Sequence, residues 1–138
     1  MKSAQRTRTL LLIIVVVTLS LMSVTACTGG SSIEVSAEWE IVTEGLAFNR
    51  GTIAVPAGAQ VVIKLKNSDN YTHYFGVYRS EDSEQALAGP TELPANTTKE
   101  FSFTAPEETG RYHFRDHTYP NKMKGIMIVS DKDKVDID

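Results

Sequence analysis

The chain has 138 residues, 14 Lys and Arg against 17 Asp and Glu, and a formal charge of −3. That length holds one domain of ordinary size, and the acidic balance argues against nucleic acid as a partner. A single Cys rules out an internal disulfide.

Lys2, Arg6 and Arg8 precede an apolar run over residues 10–22 that only Thr18 and Ser20 interrupt. Thirteen residues fall short of the ~20 that a membrane-spanning helix needs, whereas a basic start and a short apolar run suit an export signal. The run ends in Val24-Thr25-Ala26-Cys27, which resembles a bacterial lipobox, with small residues before a Cys that receives lipid. Residues 1–26 are therefore read as a lipoprotein signal peptide. Residues 27–32 are read as a lipidated Cys27 and a flexible Gly/Ser tether. This predicts a lipid-anchored protein of the cell envelope that faces the periplasm or the cell exterior, with the membrane as one partner. Without residues 1–26, and so without their three cations, the formal charge is −6.

Residues 34–41 alternate and carry the only Trp, Trp39, which predicts a first strand with its ring in the core. Ile53-Ala54-Val55-Pro56-Ala57-Gly58 reads as a strand, an edge proline and a turn. Residues 60–67 alternate strictly, with Val61, Ile63 and Leu65 on one side and Lys64 and Lys66 on the other, the pattern of a half-buried strand. A strand over residues 74–79 is followed by a polar connection over 80–96, with one short helical turn near residues 84–87. Residues 98–105 alternate again, with Phe101 and Phe103 inward, and a turn leads to strands around Tyr112 and Ile126. About seven short strands predict an all-β, antiparallel Greek-key sandwich over residues 33–130, followed by a solvated charged tail over 131–138.

Three stretches carry a family resemblance. The first is the run from Ile53 to Asn67, of the form I-x-V-P-A-G-x-x-V-x-I-x-L-x-N, with His73 following. The second is F-x-F-T-A-P-E-x-x-G-x-Y-x-F from Phe101, and the third is Tyr112-His113-Phe114-Arg115-Asp116 running on to Met123-Lys124-Gly125. Together they resemble the cupredoxin, or blue copper, family, and the resemblance implies its β-sandwich fold. It also implies a metal centre at one end, with His73 in the place of the first ligand. Asp116 stands where the family has its Cys, Tyr119 where the second His is commonest, and Met123 at the thioether position. A carboxylate is a harder donor than a thiolate, so the resemblance implies at most a pale, type 2-like Cu(II) site on His73 and Asp116, with Met123 as a distant ligand. Zn(II) would accept the same donors.

Parity sharpens this expectation. Tyr112, Phe114 and Asp116 share one strand face, so Asp116 points inward, and a buried carboxylate needs a partner. A metal, His73 as an imidazolium, Arg50 or Arg79 would serve. His113 and His117 fall on the opposite parity and are read as facing solvent, although a slip of the strand would let His117 replace the missing second His. Tyr119 is a further, weaker donor. Two functions follow: a tethered copper-binding protein without blue-site chemistry, or a metal-free interaction module or accessory subunit of a membrane complex. Electron transfer ranks below both. No nucleophile beside a base, carboxylate pair or phosphate loop points to an enzyme.

Overall fold

A computed structural model describes residues 36–132. The readings of residues 1–26 and 27–32, and most of the 131–138 tail, lie outside the described residues. Among these residues there are eight strands in two sheets and no helix long and apolar enough to cross a membrane. The all-β sandwich expected from the alternation is therefore present.

One sheet has three strands in the order β1 (Ser36–Thr43), β3 (Gln60–Asn67), β6 (Thr98–Thr104). The other has five, in the order β2 (Thr52–Pro56), β8 (Lys124–Ser130), β7 (Gly110–Asp116), β4 (His73–Tyr78), β5 (Ala86–Leu93). Two pairings, β1 with β3 and β2 with β8, are parallel, so the sandwich is mixed rather than wholly antiparallel. The register sets Thr43 beside Asn67 at the far end of the three-stranded sheet.

The eighth strand is β5, where the sequence reading placed a polar connection with a helical turn. Its composition hides it, because Gly89 and Pro90 interrupt the segment and its exposed positions include Leu87. It pairs with β4 alone, with register shifts between Phe75 and Tyr78, so little alternation is imposed on it. Trp39 also differs from expectation. It is half-buried and packs against the core from the side, with its Nε1–H donating to Ala54 O at 3.2 Å.

The core is built from the inward residues of both sheets. Ile41, Val61, Ile63, Leu65 and Phe101 face Ile53, Val55, Phe75, Phe114, Met127 and Val129. Near one pole this core becomes aromatic. The Phe75 and Phe114 rings stack at 5.7 Å between centroids, Phe101 meets Phe75 edge-on at 5.5 Å across the sandwich, and Phe48 closes the cluster. Phe75 lies two residues after His73 and Phe114 two before Asp116. Strand periodicity therefore sets both polar side chains directly above an apolar floor.

Candidate metal-centre pole

His73 opens β4 and Asp116 closes β7, so both lie where strands become loops. Both are almost fully buried, His73 at 1% exposure and Asp116 at 0%. The structure brings them together, with His73 Nδ1 3.0 Å from Asp116 Oδ2. The inward direction read from the parity of Tyr112 and Phe114 is the one observed.

Asp116 is engaged on every side. Its Oδ2 also accepts the Tyr74 N–H at 2.9 Å, and its Oδ1 accepts the N–H groups of Thr118 at 2.7 Å and Tyr119 at 2.8 Å. An ionised carboxylate offers about four lone-pair directions, and here four donors fill them. Neither arginine considered as its partner reaches it. Arg50 donates to Glu40 O and sits over the Trp39 ring, while Arg79 pairs with Glu108 and the Tyr112 hydroxyl.

The other face of the imidazole holds a residue that the sequence reading missed. Asp69 Oδ2 lies 2.9 Å from His73 Nε2, and Asp69 Oδ1 accepts the Gly45 N–H at 2.7 Å. Burial works to raise the Asp69 carboxyl above its ordinary range. The Gly45 amide, the hydrogen bond and charge of His73 and the Leu46 amide outweigh it and hold the group below that range. With both carboxylates ionised, each ring nitrogen faces an oxygen that can only accept. Both bonds form together only when each ring nitrogen carries a proton to donate.

Asn67 holds this arrangement in place. Its Oδ1 accepts from Thr43 Oγ1 at 3.0 Å and from the Asp69 N–H at 2.9 Å, an Asx turn that aims Asp69 at the ring. Its Nδ2 donates to the carbonyls of Tyr71, Leu93 and Pro94 at 2.8–3.1 Å. The one sequence signal for Asp69 was its spacing, four residues before His73 in a polar loop, and loops carry no period that shows which side chains turn inward.

Of the remaining candidates, none makes a side-chain hydrogen bond to the pair among the described residues. His117 is exposed, its backbone N–H bound to Tyr74 O, so the strand has not slipped and it does not supply a second imidazole. His113 is half-buried rather than fully in solvent. Tyr119 packs its ring edge-on at 6.2 Å from the His73 ring, and Tyr71 does so at 5.0 Å, so the two tyrosines act as packing. Burial, the Asp69 charge and Tyr119 raise the Tyr71 hydroxyl above its ordinary range, which disfavours a phenolate there. Met123 is fully buried, and its carbonyl accepts the Asp116 N–H at 2.9 Å.

These residues do not fit a resident metal. A Cu(II) or Zn(II) ion of the usual geometry takes about four donors. Here two strong donors converge, and both are already hydrogen-bonded to saturation. Asp69 approaches from the far nitrogen, so it cannot join Asp116 around one ion. Among the described residues no group of three or more His, Cys, Asp or Glu side chains is arranged to hold a metal.

The sequence model of the cupredoxin-like domain matches residues 11–129, most of the chain. The chain belongs to the cupredoxin-like family. Among solved structures, this cupredoxin is similar to auracyanin from Roseiflexus castenholzii, at 24% identity and a TM-score of 0.59, covering 70% of this chain and 98% of that one. Auracyanin A from Chloroflexus aurantiacus, a "blue" copper protein, matches at 23% identity and a TM-score of 0.61, covering 70% and 100%. Rusticyanin from Thiobacillus ferrooxidans matches at 16% identity and 0.57, covering 69% and 77%. At these identities the likeness is one of fold. Comparison with the curated proteins returned no match.

Proposed function

We propose that this cupredoxin is a lipid-tethered module of the cell envelope that works by binding a protein partner, as an interaction domain or an accessory subunit of a membrane complex. In this reading it neither carries electrons nor catalyses a reaction. The observation that supports it best is the state of Asp116. A carboxylate stands in the thiolate place, and its four acceptor positions are taken by His73 and three backbone amides. The lipobox-like Val24-Thr25-Ala26-Cys27 supports the tether. Against catalysis stands the burial of His73, whose two nitrogens are both committed to carboxylates.

One observation favours a second reading, copper handling at a pale site. Asp69 holds His73 Nε2 as carboxylates commonly do behind metal-bound imidazoles, fixing the tautomer whose other nitrogen binds the ion. Metal content and Cu(II) paramagnetic resonance of the full chain in detergent, run beside His73→Ala, separate the two. The interaction-module reading expects no stoichiometric signal that depends on His73. A one-to-one, type 2-like signal lost in the variant would replace that reading with copper handling. The comparison with the variant is essential, because Cu(II) binds most exposed imidazoles tightly.

A further inference from the structure

Hydrogen bonds run without a break across the pole. They start at the Gly45 amide, pass through Asp69, His73 and Asp116, and end on the amides of Thr118 and Tyr119. Gly45 lies between β1 and β2, Asp69 between β3 and β4, and Thr118 and Tyr119 between β7 and β8. One imidazole thus links three loops through two carboxylates. Each carboxylate is anchored by backbone, Asp69 by the Gly45 amide and Asp116 by those of Tyr74, Thr118 and Tyr119, and cannot swing aside without breaking these bonds.

We propose that this run of bonds is a metal-excluding clasp, which fixes the loops of the pole as a bound ion would and leaves no donor free for one. It occupies both nitrogens of His73 and all four acceptor directions of Asp116. Asp69 is the positioning residue, because it fixes the ring while touching neither Asp116 nor the loop that Asp116 holds. A cation entering between His73 and Asp116 would have to displace a ring proton or a backbone amide. Asp69 could not turn to complete the coordination, since it is bound on the opposite side. The proposal rests on the metal-free reading above, and it adds a cause and a responsible residue.

The test uses the full chain in detergent micelles, with Cu(II) or Zn(II) added as simple salts. In the unaltered protein both imidazole N–H protons of His73 should give slowly exchanging nuclear magnetic resonance signals, and neither salt should bind stoichiometrically at His73. In Asp69→Asn, which keeps the shape and removes the charge, the Thr118 and Tyr119 amides should exchange with solvent about tenfold faster, although residue 69 does not touch them. A single ring N–H in the unaltered protein would overturn the clasp and leave the metal-free reading standing. Unchanged amide exchange in Asp69→Asn would do the same. Stoichiometric copper lost in His73→Ala would overturn both. The ring-proton measurement needs no variant, so it decides even if Asp69→Asn folds poorly.

Discussion

Asp69 and Asp116 hold the same imidazole from opposite sides, at 2.9 Å from Nε2 and 3.0 Å from Nδ1. The ring is 1% exposed, so its two hydrogen bonds are made away from bulk water.

His73→Ala therefore leaves two buried carboxylates facing a cavity. Breaking a buried ion pair by removing one partner costs about 3–5 kcal/mol, and the void adds to it. Urea unfolding should show a loss in that range, and a loss below about 1 kcal/mol would mean that water or a rearranged loop already serves the carboxylates.

Asp116→Ala should be worse than Asp116→Asn. The alanine leaves the amides of Tyr74, Thr118 and Tyr119 without an acceptor, at roughly 1–3 kcal/mol for each that stays buried. Asparagine keeps one carbonyl oxygen and so retains part of this set. Unfolding of the two variants should rank in that order, and metal uptake should match the unaltered protein in both.

Acid should weaken the fold through Asp69. Its carboxyl sits below the ordinary value of 3.8 in the folded state, so folding favours the ionised form. A depressed value gives stability that is fully present above the unfolded value and is lost as pH falls through the folded one. The loss should begin near pH 4 and grow below it. A pH series of unfolding free energies should show a shallower acid limb in Asp69→Asn, and limbs of identical slope would remove Asp69 as a contributor.

Gly125→Ala tests the frame around the pole. Gly125 pairs with Phe114 across β7 and β8, and a Cβ there would run into the Phe114 ring. That ring is fully buried and stacked on Phe75, so it has little room to yield. Overpacking of this kind costs about 1–3 kcal/mol, readable as a lowered melting temperature, and an unchanged one would show that the ring can move.

Much of the fold was legible because burial imposes a period of two. Val61, Ile63 and Leu65 mark β3, and Tyr112 and Phe114 mark the inward turn of Asp116. Hydrophobic periodicity says nothing of a strand such as β5, which has a glycine and a proline and a single neighbour. Nor does it speak for a loop aspartate. Asp69 is turned inward by the Asn67 side chain and the Gly45 amide, two contacts that exist only after the chain has folded. Parity leaves His73, an arginine or a metal as partner of Asp116, and the folded geometry sets His73 against it.

Asn67 also bears on how the protein ages. An asparagine loses its amide when the nitrogen of the following residue attacks its side-chain carbonyl. Here that nitrogen, on Ser68, is tied to Thr43 O at 3.0 Å, and the side chain is fixed by its own five hydrogen bonds. The attack would require both to let go at once. Should hydrolysis succeed, the resulting carboxylate would set an anionic oxygen against three carbonyls that now receive N–H groups. The shelf life of this pole is thus bound to one well-guarded amide.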